Sequence, residues 1–145
     1  MISLRPQIKS DAEDMFNILG NNKFEYLGVD CTSVSKTRRW ISNNIQLKKR
    51  NIKFTYSIIL NNAIVGFIDI SYNGEIGYCV GEKYWGQGIA TESVKLIEKM
   101  IDIPITSFYI ITDVNNIGSC KVAEKSGYTK LGMESKNIIY TKDNI

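Results

Sequence analysis

The chain has no histidine in 145 residues. That absence removes the side chain best suited to carry protons near neutral pH, and with it Ser-His and Cys-His catalytic arrangements and most zinc sites. A catalytic base must then be a carboxylate, a tyrosine, a lysine or water, and no metal cofactor is expected. Cysteine is scarce. Cys31, Cys79 and Cys120 are odd in number, far apart and never in a Cys-x-x-Cys pair, so they read as reduced thiols. No apolar run is long enough to span a bilayer and the N-terminus carries no apolar leader, so a cytoplasmic protein without a membrane partner is expected. One-sided charge is missing too: 18 Lys and Arg face 15 Asp and Glu, and a net charge of +3 is too small to argue for nucleic acid. Repeats, low-complexity stretches and linkers are likewise absent. With 43% hydrophobic residues, positions 1–145 are expected to fold as a single domain with a real core.

What is present alternates between strand and helix patterns. Residues 2–5 read as a strand stopped by Pro6. Ser10 and Glu13 form a capping box, after which Ala12, Met15, Phe16 and Leu19 make an apolar helix face that Gly20 ends. Residues 21–34 read as a loop whose apolar content is Phe24, Tyr26 and Leu27. A second helix is expected over 35–50, with Trp40, Ile41 and Ile45 on one face. Lys48, Lys49 and Arg50 close it; they complement the helix dipole, or else meet an acidic partner. Two strands, 53–60 and 63–71, flank the tight-turn pair Asn61-Asn62, and Asn73-Gly74 marks a second hairpin leading into a strand at Glu75. After a helix closed by Pro104, residues 107–113 form a nearly continuous apolar strand, hence a central one. A helix over 116–126 with Gly127 behind it and a final hairpin around Glu134-Ser135 complete the order.

The stretch 74–94 organises the rest. Ile76, Tyr78 and Val80 alternate as a strand, and Ala90, Val94, Ile97 and Ile101 recur at helical spacing. Between them Gly86 and Gly88 strip side chains from a turn whose amides face outward at a helix start, an anion cradle. A Walker A loop would need Lys-Ser or Lys-Thr after the second glycine, where Ile89-Ala90 stand. A dinucleotide fingerprint would need Gly or Ala where Thr91 stands.

Gly88-Ile89-Ala90 resembles the end of the acetyl-coenzyme A loop of the GNAT N-acetyltransferase superfamily, Arg/Gln-x-x-Gly-x-Gly/Ala, departing at Trp85. Tyr84-Trp85-Gly86-Gln87-Gly88 is similar to the form used by the branch of ribosomal-protein alanine N-acetyltransferases. Downstream, Asn116-Ile117-Gly118-Ser119 and Glu124-Lys125-Ser126-Gly127-Tyr128 resemble that branch's Asn-x-x-Ser helix and its ending, and Leu4-Arg5-Pro6 is family-like as well. The pattern alone gives an α+β chain. The resemblance implies more: a mixed, mostly antiparallel sheet of about seven strands flanked by four helices, with parallel fourth and fifth strands that splay apart around the cofactor.

The same resemblance implies acetyl transfer from acetyl-coenzyme A to a primary amine, a peptide N-terminus or a small molecule, in a ternary complex formed by a monomer or homodimer. Trp85, Gly86, Gln87, Gly88, Ile89, Ala90 and Thr91 would hold the pyrophosphate, the backbone of Cys79 and Val80 would pair with pantetheine, and Asn116 and Ser119 would contact the cofactor. Glu75 is the expected general base, its carboxyl tuned by apolar walls, unless it is only a solvated residue after a turn. Ser119 is the expected hydrogen-bond donor to the leaving sulfur, because many members place a tyrosine where Ala123 stands; otherwise it is a cap. Phe24 and Tyr26 would overhang the acceptor, or cap the core. The Ala123 departure sustains the alternative of a non-catalytic acyl-coenzyme A-binding or regulatory module.

Overall fold

The structure, a computed structural model, describes residues 1–20 and 31–145. Strand β1 (Ile2–Pro6) leads through a short 3-10 turn (Lys9–Asp11) into α1 (Ala12–Leu19) and α2 (Val34–Lys49). Strands β2 (Lys53–Leu60), β3 (Ala63–Ser71) and β4 (Ile76–Val80) follow, then a 3-10 turn (Glu82–Tyr84), α3 (Ile89–Met100), β5 (Ser107–Asp113), α4 (Ile117–Lys125), β6 (Thr129–Glu134) and β7 (Asn137–Asp143).

Turn chemistry sets the meander. Asn61 and Asn62 sit at φ 50° and 65°, the pair of left-handed positions that a two-residue hairpin needs and that asparagine tolerates. The strands form two antiparallel sheets, β1-β2-β3-β4 and β5-β7-β6. They are joined where Glu75 and Tyr109 make a parallel bridge, with the Tyr109 amide donating to the Gly74 carbonyl at 2.9 Å. Beyond that bridge β4 and β5 pair no further. The two parallel strands therefore part as expected, and the fold is the mixed α+β arrangement inferred above.

Helices cover both faces. On one side Ile58, Ile68, Ile70, Ile76, Val94, Ile97, Phe108 and Ile110 form the main core with α3. On the other, Met15 and Leu19 of α1 pack with Cys31, Phe67 and Cys79, and Trp40 of α2 meets Phe67 edge-on with ring centroids 4.8 Å apart. Strand β5 is covered on one face only: Phe108, Ile110 and Thr112 are buried while Ile111 is exposed. It stands between β4 and β7, central as expected, but its apolar run overstated its burial because only one of its faces is covered.

Two helix starts also differ from expectation. Ser10 and Glu13 are both exposed, and the buried Asp11 does the work assigned to them. Its carboxylate accepts from the Ile8 amide at 3.1 Å, from the Arg5 guanidinium at 2.8 and 2.9 Å, and from the Ser57 hydroxyl at 2.9 Å. It binds β1, β2 and the start of α1 at one point. Helix α2 is capped by Ser33, whose hydroxyl accepts from the Lys36 amide at 3.0 Å. Its buried face is Thr37, Ile41 and Asn44, with the Asn44 amide donating to the Gln7 side chain at 2.9 Å.

Candidate active site

The glycine-rich turn is set by backbone conformation. Gly86 and Gly88 stand at φ 78° and 75°, and Gly88 is the N-cap of α3. A Cβ built at either would meet no protein atom within 4 Å. Crowding by the protein does not demand glycine there; the left-handed backbone does, along with whatever lies against its open face. The amides of Gly86, Gln87, Gly88, Ile89, Ala90 and Thr91 have no backbone acceptor among the described residues, and no side chain caps α3. These orphan donors converge on the positive end of a helix whose first residue, Ile89, is anchored in the core. An anionic diphosphate is the ligand such a turn suits. Trp85 is 53% exposed and folds back so that its indole N–H donates to the Val80 carbonyl at 2.7 Å, which fixes the approach of the turn to β4.

Strand β4 offers backbone groups to the cleft in a definite phase. The Ser71 amide donates to the Glu75 carbonyl at 2.9 Å and the Gly81 amide to Val65 at 2.8 Å, so Glu75, Gly77 and Cys79 turn their backbone groups towards β3. The Cys79 carbonyl lies so close to Gly66 that a Cβ there would collide with it. The groups left facing the splay belong to Ile76, Tyr78 and Val80, and the Val80 carbonyl is already engaged by Trp85. An extended ligand strand would therefore pair with Tyr78 and the Val80 amide rather than with Cys79. Burial, with Cys31 beside it, pushes the Cys79 thiol up to about 12, so it stays a neutral packing group.

Ser119 and Asn116 divide the roles expected of them. The Asn116 side chain caps α4 by accepting from the Ser119 amide at 3.1 Å. The Ser119 hydroxyl is thereby free of capping, and it lies 2.8 Å from the Tyr78 hydroxyl, which also reaches the Ser119 carbonyl at 3.2 Å. Burial pushes the Tyr78 phenol up to about 12 although the Ser119 hydrogen bond pulls the other way. It remains protonated and can give its one hydrogen to the serine oxygen. Ala123 is fully buried in the core, so the position where other superfamily members carry tyrosine has no room for a phenol. The sequence held the Tyr78–Ser119 pair in plain view, 41 positions apart, without any local pattern joining them.

The carboxylates are arranged unexpectedly. Glu75 is exposed, its amide held by the Asn73 side chain at 3.2 Å, and the apolar walls foreseen for it are not present among the described residues. Asp69, half-buried on β3, was not singled out from the sequence. It stands directly across from Gly77, close enough that a Cβ there would lie 3.0 Å from its Oδ1. Burial pushes its carboxyl up to about 6; Lys53 and the Gly77 amide oppose the shift and Glu75 adds to it. The available clue was that Asp69 is the one ionisable residue in β3, Ala-Ile-Val-Gly-Phe-Ile-Asp-Ile-Ser. Phe24 and Tyr26 lie outside the described residues. No helix among the described residues is long and apolar enough to cross a membrane.

Comparison with known proteins identifies the family and the fold. Residues 2–129 match the family model described as an acetyltransferase (GNAT) domain. The probable N-acetyltransferase YjcK of Bacillus subtilis (strain 168) is 25% identical over 154 residues, covering 94% of this chain and 85% of the relative. Among solved structures, apo RimL, described as a ribosomal L7/L12 alpha-N-protein acetyltransferase, superposes with a TM-score of 0.86 at 25% identity, covering 98% and 90% of the two chains. The microcin C7 self immunity acetyltransferase MccE, solved with acetyl-CoA and AMP, shares the fold with a TM-score of 0.84 at 22% identity over 98% and 92% of the chains.

Proposed function

The chain belongs to the GNAT acetyltransferase family and is an acetyl-coenzyme A-dependent N-acetyltransferase; from that premise we propose that its acceptor is the α-amino group of a peptide N-terminus. The observation that carries the cofactor assignment is the run of orphan amides from Gly86 to Thr91 at the uncapped start of α3, beside the splay of β4 and β5. The acceptor assignment is supported by the likeness to RimL, which is described as acting on a protein α-amine. We take residues 1–145 as a single acetyltransferase domain, acting in the cytoplasm as a monomer or homodimer.

In this reading the pyrophosphate is held by the turn, with Gln87 and Trp85 at its rim, and the pantetheine arm pairs with β4. Acetyl-coenzyme A supplies a polarised thioester carbonyl and a thiol that leaves readily, its pKa being near roughly 8.5. The chain's own contribution is to hold those atoms, attract and deprotonate the acceptor ammonium, and bind the departing sulfur. Glu75, exposed at the mouth of the splay, attracts the ammonium. Ser119 donates to the sulfur when the Tyr78 phenol, 2.8 Å away, turns its one hydrogen from the Ser119 carbonyl to the serine hydroxyl oxygen.

Turnover tests the assignment. Acetyl transfer measured with peptides bearing free α-amines should exceed that with polyamines, free amino acids and aminoglycosides by at least tenfold in kcat/KM. A small-molecule amine as the best acceptor overturns the peptide assignment. The buried Ala123 favours one rival, a module that binds acyl-coenzyme A without turnover, and coenzyme A binding with no product from any amine would establish it.

The serine and tyrosine can be tested as a unit. Ser119→Ala and Tyr78→Phe should each slow kcat by about three- to tenfold with cofactor affinity unchanged, and the double variant should be no slower than the worse single one. Additive losses would show that the two hydroxyls act separately.

A further inference from the structure

We propose that Asp69, reached across the side-chain-free position of Gly77, is the group that takes the proton from the acceptor ammonium, with Glu75 acting as its charged neighbour. The proposal rests on the acetyltransferase reading above and assigns a step within it.

Three features of the fold lead there. First, Asp69 and Gly77 are paired across β3 and β4, and Glu75, Gly77 and Cys79 share the face of β4 on which the Asp69 side chain lies. The carboxylate therefore leans over β4, the strand that lines the splay, within reach of an acceptor nitrogen directly or through one water. Second, glycine at position 77 is what exposes it. The Asp69 Oδ1 is the protein atom nearest to the missing Cβ, at 3.0 Å, followed by its own Cγ at 3.7 Å and Oδ2 at 3.9 Å. Any side chain at 77 would stand between the splay and the carboxylate. Third, the one carboxylate in an apolar strand is held only by the Gly77 amide across from it, with Lys53 as the cation nearby. Among the described residues it makes no salt bridge, whereas Asp11, the other carboxylate beneath the helices, is tied down by four hydrogen bonds.

Among the described residues, the charged and titratable groups around Asp69 are few. Lys53 faces it from β2, Glu75 from the start of β4, and Tyr109 of β5 is bridged to Glu75. Lys48 of α2 lies beside Thr55, the β2 residue opposite Asp69, and the neutral thiol of Cys79 is two residues along β4. Burial and Glu75 hold the carboxyl near 6, close to the working pH where a general base is most effective. The atoms balance as follows. One proton passes from the ammonium to Asp69 and on to solvent, and the neutral amine attacks the thioester carbon. The C–N bond forms as the C–S bond breaks, and the second proton of the nitrogen ends on the departing sulfur beside Ser119.

The test is the pH dependence of kcat/KM for wild type, Asp69→Asn, Glu75→Gln and Gly77→Ala, measured from pH 5 to 9 with one peptide acceptor. Asp69→Asn should be slower by about thirtyfold at pH 7, and its deficit should shrink below pH 6, where the wild-type carboxyl is itself protonated. Glu75→Gln should keep the acid limb but move it to lower pH, because the neighbour that raises Asp69 is gone. Gly77→Ala should lose kcat/KM at pH 7 with coenzyme A affinity intact. Asp69→Asn should melt at or above the wild-type temperature at pH 7, since asparagine removes a charge that burial disfavours. If Glu75→Gln erases the acid limb and Asp69→Asn runs parallel to wild type, Glu75 is the base and the proposal is overturned. Wild type that turns over no amine refutes the acetyltransferase reading itself, a separate outcome.

Discussion

Gly88→Val is expected to weaken coenzyme A binding by about a hundredfold, roughly 2.7 kcal/mol. The substitution carries two costs. Gly88 holds φ 75° as the N-cap of α3, and a β-branched residue in that region costs on the order of 1–3 kcal/mol. The added side chain also stands on the open side of the turn, where no protein atom lies within 4 Å and where a pyrophosphate must approach to meet the amides of residues 86–91. The two costs separate experimentally. The local strain acts on free and bound protein alike, so it lowers the melting temperature by roughly 3–10 °C without changing affinity; the steric block acts only on binding, and calorimetry reads it alone. Gly88→Ala should lie between, having a Cβ without branching. Full-strength binding by a folded Gly88→Val would refute the phosphate cradle.

Most of the fold was legible because its determinants are local. The Asn61-Asn62 turn, the strand alternation of 76–80, and the helical period of Val94 and Ile97 each need only a few neighbouring residues to be recognised, and each stands where it was expected. The glycine-rich turn was legible for the same reason: two glycines two positions apart, directly before a helix. What failed depended on residues far apart in sequence. Ser10 and Glu13 have the spacing of a capping box, yet Asp11 won because Arg5 and Ser57 converge on it from two strands. The run 107–113 read as a central strand, and β5 does stand between β4 and β7, but which of its faces is covered is encoded in no local pattern, and Ile111 lies in the open. The resemblance put pantetheine pairing on the backbone of Cys79 and Val80; the ladder phase, which depends on the partner strand, turns Cys79 towards β3 and leaves Tyr78 and the Val80 amide facing the splay. Asp69 was passed over because its meaning lies in the glycine across from it on the next strand.

Asp11 should be the costliest single side chain to remove for the stability of the fold. Burial alone would raise its carboxyl, but the Arg5 guanidinium, the Ile8 amide and the Ser57 hydroxyl together hold it below the usual range. Asp11→Ala strands a buried hydroxyl and an amide besides breaking the ion pair, each orphan costing about 1–3 kcal/mol. The Arg5 side chain keeps 41% of its surface in water, so its leftover charge is partly solvated and the total stays near the lower end for a broken buried pair, about 3 kcal/mol. In a chain of this size that corresponds to a fall in Tm of roughly 10 °C at pH 7. Asp11→Asn, which can still accept from Ile8 or Ser57 but loses the charge, should fall about half as far. The pH dependence follows from the direction of the shift. A carboxyl whose folded pKa is depressed adds stability above its unfolded value, near 3.8, and that stability is lost as pH falls through the folded pKa. The gap between wild type and Asp11→Ala should therefore be constant from pH 7 to about 5 and close progressively below pH 4. Thermal melts across pH 3 to 7 decide the matter: a gap unchanged at pH 3 would mean that the carboxylate's charge contributes nothing and that Asp11 acts by packing alone.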